Sequence, residues 1–588
     1  MKGRFMKKYI SIVLIVIGMV CLISIACTDN QNHLVENDES DNEVFDGHPP
    51  YLRLPIEGEI STIDPGLIIS TTSIEIVEQL FLGLTDFDPN TYEAIPELAI
   101  GWSILNNGKI YQFALREDVY WTDGTPVTAH DIVWAIRRNI NPKTKSPYAY
   151  VLYILKNAEA IHTGEIEDVT QIGVRAIDEK TVEFELNHAA AYFPAIAGLW
   201  VYRPLPSKTI EKYGENWIEP LYIQSNGAYK LTSWVDGSLM ILQKNPGFIN
   251  ASKVCIPEIR FYIIPESYAG FELYKSNALD IIGGNFLRLP IMELANIKSN
   301  PAFFNQYYRQ PLLCTSFYGF NTIRPPVDNV LVRKALSAAI DRALLIEVIT
   351  KGDEEPATTF TRPPLFGSVL PSEGIGIHFD PTQAQKWLAE AGYPNGVGLP
   401  PITIMHNVSE THHRIANTLK SFMQHYLNIT VHVVSYDWET YINAITGNNA
   451  PHIFRAGWCA DYPDANNWLN DVFHPFKSQN MIQWNNREFA QLMDDAQKIS
   501  DPEIRKRLYR RAEKILCEEE AAVIPIYFET AQYLVKPWVK DWFHMAIGGQ
   551  HIYKWRFDKC EPTKESNEQS SEENDSSKKI YTYKIKSS

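Results

Sequence analysis

Side chains that commonly act in catalysis are present in this sequence, but none forms a recognised catalytic motif. The 588 residues include 15 His and seven Cys. They contain no G-x-S-x-G elbow, H-E-x-x-H or C-x-x-C motif, and no glycine-rich phosphate loop. His412 and His413 are adjacent, and adjacent side chains on a helix point about 100° apart, which makes them poor co-ligands for one metal ion. We interpret both as solvent-exposed histidines at the start of a helix. We expect no enzymatic activity, no metal site and no cofactor.

The composition is that of a soluble, globular, acidic protein. Apolar residues make up 45% of the chain and charged residues 21%, and the net charge is −16. Nucleic-acid-binding proteins usually carry a basic surface, and no basic stripe occurs inside the folded body of this sequence. The composition therefore argues against a nucleic-acid partner, and the length allows several domains.

The N-terminal segment has the pattern of an export signal. Basic residues at positions 2, 4, 7 and 8 precede an apolar run over 10–25, which Ala26 and Cys27 close. A small residue before Cys resembles a bacterial lipoprotein processing site, although Ser24 stands where Leu is usual. We expect a signal peptide over 1–26 and lipidation of Cys27. The alternative is an uncleaved signal anchor, because the apolar run is near the lower end of the about 17–25 residues that span a membrane. Both alternatives place the body outside the cytoplasm.

Two further segments have the composition of disordered chain. Residues 28–50 contain seven acids and no Lys or Arg, which predicts a disordered tether behind the anchor at 27–50. Residues 561–588 are rich in Ser, Glu and Lys and predict a disordered tail.

The body between these segments mixes short strands and helices, which favours α/β lobes. Alternation after the turn at 106–108 predicts a hairpin, and 174–186 predicts another. Thr128 and Asp131 have capping-box spacing before a helix over 129–138. Asn485 and the pair Asp501-Pro502 are predicted to start two further helices.

Five stretches in order resemble the peptide/nickel family of extracytoplasmic solute-binding proteins, most closely its oligopeptide-binding subgroup. They are WTDGTPVTAHD at 121–131 with SPY at 146–148, SNGAYK at 225–230, 321–342 with VRKALSAAIDR, AGWCADY at 456–462, and LVKPW at 534–538. The resemblance covers about residues 51–560. It implies a periplasmic-binding-protein-like fold (type II, cluster C), a three-domain flytrap with a hinge between two closing lobes.

The resemblance also implies domain boundaries. Domain I comprises 51–81, 208–313 and 531–560, domain II is an insertion over 82–207, and domain III is 314–530. The ligand is expected between domains I and III.

A set of ligand-binding residues follows from the same resemblance. They are Ile69, Ser70, Thr71, Tyr148, His412, Trp438, Arg455, Gly457, Trp458, Cys459 and Asp461. Asp461 matches the carboxylate that pairs with a peptide's α-amino group, because a buried ammonium needs a fixed counter-charge. The alternative is that Asp461 only caps the turn before Pro463.

The other residues of this set match three kinds of ligand contact. Residues 457–459 and 69–71 match strand segments that bond the peptide main chain from either side. Arg455 matches a residue that binds the peptide carboxylate through its guanidinium fork, and His412 matches a second such position. Tyr148 and Trp438 match ligand-facing aromatic residues, with core packing as the alternative.

The sequence departs from the subgroup at several ligand-facing positions. Thr350, and Ile445 or Thr446, replace basic residues, Glu529 replaces a Tyr, and Ile69 replaces a Glu. A short insertion falls at 283–285. These departures leave peptide length and side-chain preference open.

Cys314 and Cys459 match cysteines that form a disulfide in the subgroup. We expect Cys255, Cys517 and Cys560 to be reduced or buried.

The sequence thus predicts a monomeric lipoprotein of the periplasm or cell surface that captures short peptides for the permease and ATPase of an ABC importer. The lipid anchor would be its only attachment to the membrane. The alternatives are the same fold with a metal complex, sugar or opine as ligand, or a peptide sensor or adhesin that is not coupled to transport.

Overall fold

A computed structural model of the protein describes residues 49–558, except 59, 352, 448, 449, 477 and 479. The chain divides into two units, Met1–Pro50 and Tyr51–Ser588, and the elements below belong to the second. The predicted signal peptide, lipidation site and tail lie outside the described residues, as does all but the end of the tether. No helix in the described part of the chain is long and apolar enough to cross a membrane.

Nineteen strands form within the described residues. They are β1 Leu52–Ile56, β2 Thr85–Phe87, β3 Ala94–Pro96, β4 Ala99–Leu105, β5 Ile110–Leu115, β6 Val174–Asp178, β7 Thr181–Glu185, β8 Tyr229–Val235, β9 Leu239–Lys244, β10 Glu258–Ile263, β11 Ile281–Gly283, β12 Tyr307–Phe320, β13 Glu355–Pro356, β14 Ile402–Asn407, β15 Val431–Tyr436, β16 Ile453–Cys459, β17 Val523–Val535, β18 Val539–Lys540 and β19 Arg556–Phe557.

Helices alternate with these strands along the chain. The α-helices span Thr71–Leu80, Ala129–Ile140, Ala158–His162, Phe193–Ile196, Ser207–Tyr213, Ser267–Lys275, Leu294–Ser299, Val330–Ala338, Arg342–Leu345, Pro381–Glu390, Glu410–Leu427, Trp438–Thr446, Ala465–Phe473, Arg487–Lys498 and Pro502–Lys514. The predicted α/β architecture is confirmed.

Three sheets carry most of the strands. One has the order β1-β10-β9-β8, a second has the order β4-β5-β7-β6, and a seven-stranded sheet has the order β11-β17-β12-β16-β14-β15 with β13 on β17. The long strands β12 and β17 pair antiparallel, and each runs across a predicted boundary between domains I and III. The ladder is interrupted between Pro311 and Thr315, so this crossing contains a local irregularity.

Local sequence signals account for several of these elements. The hairpins β4–β5 and β6–β7 form as predicted. Thr128 and Asp131 form the predicted capping box at the helix Ala129–Ile140, and Asp501 caps Pro502–Lys514 by accepting from two backbone N–H groups. The predicted cap at Asn485 is wrong by one residue. Asn486 caps Arg487–Lys498, because its side chain accepts from the N–H of Phe489 at 2.9 Å.

The helix Thr71–Leu80 is joined to distant segments through a buried carboxyl group. Glu75 is 2% exposed; it accepts a hydrogen bond from the backbone N–H of Gln550 at 2.7 Å and one from the Asn285 amide at 2.9 Å. Asn285 follows Gly284, whose φ is +54° and whose missing side chain makes room for the Tyr533 ring. Burial raises the pKa of Glu75 to about 7. The hydrogen bonds from Gln550 and Asn285 oppose this rise, and repulsion from Glu78 adds a smaller increase.

The Glu75→Gln variant tests this assignment through the pH dependence of stability. The folded state holds the Glu75 proton more tightly than the unfolded chain, so the free energy of unfolding must fall as pH rises from about 4.5 to about 7. In the variant, we expect this fall to be smaller by on the order of 2–3 kcal/mol, measured by urea unfolding at pH 5 and pH 8. Glu57→Gln, at an exposed position of the same lobe, is the matched control. Identical pH dependence in wild type and Glu75→Gln would contradict the assignment.

Candidate functional site

Strand β16 has one paired edge and one open edge. It pairs with β12 along its whole length, from Ile453 to Cys459. On the other side it pairs with β14 only at Ile453 and Phe454, and no described strand pairs with residues 455–459 there. Gly457 and Cys459 are exposed. An open edge of this kind can add a strand from another chain.

The backbone groups at this edge point outward at alternate residues. The Cα atoms of Cys314 and Cys459 are 4.0 Å apart, as expected for a cross-strand pair that exchanges no hydrogen bonds with each other, so the N–H and C=O of Cys459 point away from β12. The period of two gives Gly457 and Arg455 the same orientation. The Tyr441 hydroxyl donates to the Arg455 carbonyl from that side, which supports the assignment.

Asp461 lies just beyond the end of β16 and is not a helix cap. Its backbone N–H donates to Oδ1 of Asn467 at 2.8 Å, and Nδ2 of Asn467 donates to its Oδ2 at 3.3 Å. The cap of the next helix is Asp464, whose side chain accepts from the N–H of Asn466. The helix cap is therefore not Asp461, and its role as a ligand anchor stays a prediction.

The carboxyl group of Asp461 is half-buried and has no cationic partner among the described residues. Burial raises its pKa to about 6; the Asn467 hydrogen bond lowers it and repulsion from Asp471 raises it further. A ligand ammonium at this position would supply the missing counter-charge and favour the ionised form.

Aromatic side chains lie near Asp461. Tyr148 is half-buried, with its ring 4.9 Å from Trp200 and 5.6 Å from Tyr150. Burial, and then the charge of Asp461, raise the pKa of both tyrosines, so both side chains lie near Asp461; ligand contact by Tyr148 stays a prediction. Tyr150 is half exposed and was not predicted; its only signal is its position two residues after Tyr148.

The two remaining aromatic candidates differ in environment. Trp438 is 60% exposed and stacks on Tyr441 with ring centroids 6.1 Å apart, so the core-packing alternative is wrong for this residue. Trp458 is half-buried and donates from its indole N–H to Asn467 at 3.3 Å. The Asn467 amide, which sequence analysis missed, thus joins Trp458 to Asp461.

The guanidinium of Arg455 lies along the same strand. A Cβ atom on Gly457 would be 3.1 Å from Nη2 of Arg455, so the side chain bends over Gly457. Its buried Nε has no hydrogen-bond partner, and Arg455 forms no ion pair with any residue that the structure describes. It can therefore accept an anionic ligand group.

His412 lies beside Arg455. It is half-buried, while His413 is exposed, so the predicted solvent exposure is wrong for His412 and correct for His413. Burial, followed by the charge of Arg455, lowers the pKa of His412 to about 4. His412 is therefore neutral near pH 7 and offers hydrogen bonds without charge.

The strand predicted over 69–71 does not form. Ser70 has extended backbone and caps the helix that begins at Thr71, by accepting from the N–H of Ser73 at 3.1 Å. Thr71 is therefore the first residue of the helix. Ile69, which is 64% exposed, lies before the cap. Ligand contact by these three residues stays a prediction.

The positions that depart from the subgroup bring no cation to the site. Thr350 donates its hydroxyl to the Ile346 carbonyl at 2.9 Å, and Thr446 donates to Ile442 at 2.8 Å. Ile445 is buried. Glu529 is half-buried on β17, and burial raises its pKa against the nearby charge of Arg455.

The cysteines agree with the predictions in two respects and differ in one. Cys314 and Cys459 form the predicted disulfide, which closes a separation of 145 residues, and Cys517 is buried and free. Cys255 is disulfide-bonded, so its predicted reduced state is wrong; spacing alone did not identify this bond. Cys560 is also outside them.

One group of described residues has the geometry of a metal site. Atoms of Glu78, Asp86 and His551 lie within 4.8 Å of one another. Arg203 is 2.6 Å from Glu78, and Nζ of Lys554 is 3.8 Å from Oδ2 of Asp86. Because two cations already compensate the carboxylates, we interpret the group as an ion-pair network.

Comparison with known proteins gives consistent results. The family model described as bacterial extracellular solute-binding proteins, family 5 Middle, matches residues 93–480. The periplasmic oligopeptide-binding protein OppA of Escherichia coli (strain K12) is 31% identical over 486 residues, 82% of this chain and 87% of that protein.

Solved structures are similar over nearly their whole length. MppA, a periplasmic murein tripeptide binding protein in its unliganded open form, has a TM-score of 0.77 and 29% identity, over 86% of this chain and 97% of that one. Haemophilus influenzae OppA in complex with RPPGFSPFR has a TM-score of 0.64 and 27% identity, over 86% and 99%.

Replacing both Cys314 and Cys459 by Ser tests the contribution of the disulfide. Because the bond closes a long loop, we expect the free energy of unfolding to fall by about 2–4 kcal/mol, measured by denaturant titration of the oxidised proteins. The single variant Cys517→Ser controls for the loss of a thiol. An unchanged unfolding free energy in the double variant would contradict this expectation.

Proposed function

The chain belongs to the bacterial extracellular solute-binding proteins of family 5, and on that premise we propose that it captures short peptides and delivers them to an ABC importer. The resemblance found in the sequence motifs is thereby confirmed at the level of the family. The family consists of solute-binding proteins, and the proposed role involves no catalysis. The relatives named above are described as binders of oligopeptides and of a murein tripeptide.

The observation that carries the proposal is the Asp461 carboxyl group at the end of the open β16 edge, which has no cationic partner in the described part of the chain. A peptide extended along this edge would bond its main chain to the outward N–H and C=O groups of Gly457 and Cys459. Its ammonium would meet Asp461, and its carboxylate would meet Arg455, with His412 as a neutral donor beside it. Main-chain and terminal contacts are common to all peptides, so they supply affinity without sequence preference.

We propose that the ligand is enclosed by movement of domain III against domain I about the crossing of β12 and β17. Both strands run through the predicted boundaries at 313/314 and 530/531. Because the ladder between these two connecting strands is locally interrupted, one lobe can rotate against the other while the strand pairing on either side stays intact. The domain boundaries given above are part of this proposal.

We further propose that the protein is a monomeric lipoprotein held outside the cytoplasmic membrane by Cys27. Residues 28–50 would then act as a tether that lets the body reach solutes and the permease of its importer. The supports for this proposal are the export pattern and the acidic composition of the tether.

Asp461→Asn tests the amino anchor with little change of shape. We expect mixed short peptides to be released from natively purified wild type and largely lost from the variant, measured by mass spectrometry of the eluted ligand. By calorimetry, affinity for tri-alanine should fall about 100-fold, because the ammonium loses a half-buried ionic partner.

The pH dependence of binding provides a second measurement of the same role. With a pKa of about 6 in the free protein, Asp461 must lose a proton to bind an ammonium below that pH. Affinity should therefore be highest near pH 7 and fall as pH drops below about 6 in wild type and in the control, but not in Asp461→Asn. It should also fall above about pH 8, where the peptide amine loses its proton. Asp236→Asn, at an exposed turn, is the charge-matched control.

Three outcomes would change the proposal. Peptides retained equally by Asp461→Asn would remove this residue from its role and leave the receptor. A single defined non-peptide compound would favour the rival ligand class, for which the altered positions Thr350, Thr446 and Glu529 are the supporting observation. Peptide uptake that is unchanged on deletion of the gene would instead favour a sensor or adhesin.

Cys27→Ala tests the anchor. We expect the wild-type protein in the membrane fraction with an acylated N-terminus, and the variant either in the soluble extracytoplasmic fraction or retained with an intact signal segment. Fractionation followed by N-terminal mass spectrometry distinguishes these states. An unmodified, cleaved wild-type N-terminus would rule out lipidation.

A further inference from the structure

The side-chain amide of Asn467 makes four hydrogen bonds beside the proposed amino anchor. Its Oδ1 accepts from the backbone N–H of Asp461 at 2.8 Å and from the indole N–H of Trp458 at 3.3 Å. Its Nδ2 donates to Oδ2 of Asp461 at 3.3 Å and to Oδ2 of Asp471 at 3.2 Å. An amide has two acceptor lone pairs and two donor hydrogens, so its whole hydrogen-bonding capacity is in use.

These four partners require an amide at position 467. The two N–H groups can only donate and the two ionised carboxylates can only accept, so the partners also fix which end of the amide is oxygen and which is nitrogen. An ionised Asp of the same shape has no hydrogen to donate, and Leu has no hydrogen-bonding group at all. A Ser hydroxyl has one donor hydrogen and a shorter reach.

The amide holds Asp461 at two points, the backbone N–H and Oδ2. Together these two bonds restrict both side-chain dihedral angles of Asp461. Its other oxygen, Oδ1, accepts no hydrogen bond from a described residue, so that oxygen is left for a ligand ammonium. The bond from Trp458 ties the same amide to β16, so the carboxylate is held at a fixed offset from the open edge.

The helix Ala465–Phe473 keeps Asn467 in place. Asp464 caps this helix by accepting from the N–H of Asn466 at 2.9 Å, and Arg505 lies 2.6 Å from Asp464. Asn467 itself is 2% exposed. Asn is a poor helix former, and its amide is costly to bury without partners. The contacts of Asn467 with the anchor, and not helix stability, therefore account for this residue type at this position.

Other titratable groups face Asp461 from the elements packed against it. Asp471 lies on the helix that carries Asn467 and accepts from the Tyr462 hydroxyl at 2.8 Å. Tyr148 and Tyr150 lie on the domain II side, and burial raises the pKa of both above the ordinary value, so they stay neutral near pH 7.

Asn467 and Asp471 act on the Asp461 proton in opposite directions. Burial is the largest influence and raises the pKa of Asp461; the hydrogen bond from Asn467 lowers it, and repulsion from Asp471 raises it. Loss of one neighbour should therefore have the opposite effect to loss of the other.

We infer that Asn467 is a positioning residue for the amino anchor, which orients the Asp461 carboxylate for a peptide ammonium at the end of the β16 edge. The inference rests on the proposed function, because it needs an ammonium bound by Asp461. A side chain held in its binding orientation before the ligand arrives need not be ordered on binding, which favours affinity.

The first test is a double-mutant cycle on the full-length protein in detergent, with tri-alanine affinity measured by calorimetry at pH 7.5. Asn467→Ser should lose about tenfold in affinity, because Asp461 must then be ordered on binding. In the Asp461→Asn background the same substitution should cost less than about twofold, because the carboxylate that it positions is gone. Asn470→Ser is the matched control, since Asn470 lies on the same helix and donates to Asp471 but not to Asp461. Its affinity should stay within about twofold of wild type.

The pH profile separates positioning from a general loss of structure. Without the Asn467 hydrogen bond, Asp461 binds its proton more tightly, so the acid loss of affinity should begin about one pH unit higher in Asn467→Ser. Asp471→Asn removes the repulsion and should move this onset to lower pH. A loosened fold would not move the two profiles in opposite directions.

The outcomes separate this inference from the function on which it rests. If Asp461→Asn loses affinity but Asn467→Ser binds as wild type at every pH, the inference is overturned and the anchor stands. An equal cost of Asn467→Ser in both backgrounds makes its role structural and also overturns the inference. If Asp461→Asn binds as tightly as wild type, the anchor and the inference both fall, and if wild type binds no peptide, the proposed function falls with them.

A second variant covers a folding failure of Asn467→Ser. Asn467→Asp keeps the shape and the oxygen that accepts from the two N–H groups, and it loses both donor hydrogens. It must show the same shift of the onset to higher pH, and an unchanged onset overturns the inference.

Discussion

The pairing of β16 with β12 is the constraint on which the rest of the site depends. It uses the hydrogen-bonding groups of one edge of β16, and the Cys314–Cys459 bond holds the two strands together at a pair that exchanges no backbone bonds. Because the strand period is two, the same pairing directs the backbone groups of Gly457 and Cys459 to the other edge. β14 pairs with only the first two residues of β16, so that edge stays open where an extended ligand would lie.

Charge compensation differs between the scaffold and the site. In the scaffold, Asp64 meets Arg138 at 2.6 Å and Asp464 meets Arg505 at 2.6 Å. At the site, Asp461, Arg455 and Glu529 form no ion pair with any described residue. Leaving a half-buried charge uncompensated disfavours the unliganded state, as the raised pKa of Asp461 indicates. A ligand with complementary charges at its ends would remove this cost. Part of the binding free energy would then come from compensating the charges of the unliganded protein.

The same two strands that carry the site also cross between the predicted lobes. β12 contributes Cys314 beside the ligand edge, and β17 contributes Glu529, both within the irregular part of their ladder. A rotation of one lobe about this crossing would therefore change the surroundings of Glu529 and Arg288, which lie on opposite sides of it.

The sequence by itself determined the local elements and the identity of the family. The turn at 106–108, the capping box of Thr128 and Asp131 and the Asp501-Pro502 helix start are local, because the interacting groups are at most a few residues apart. The motif at 456–462 likewise predicted Asp461 as the amino anchor, and Arg455, which directly precedes the motif, was predicted from the same resemblance. Two predictions failed at element boundaries: the cap at Asn485 is one residue off, and a helix begins at Thr71 where a strand was predicted. Such boundaries depend on which neighbouring side chain reaches a free N–H group.

Only the tertiary structure decided which edge of β16 is open, since that depends on where β14, from a distant part of the chain, stops pairing. It also decided that His412 is half-buried beside Arg455 and not exposed like His413. Cys255 could not be assigned from spacing, because a disulfide requires proximity in space. In each case the deciding contacts join residues far apart in sequence, and no local pattern records them.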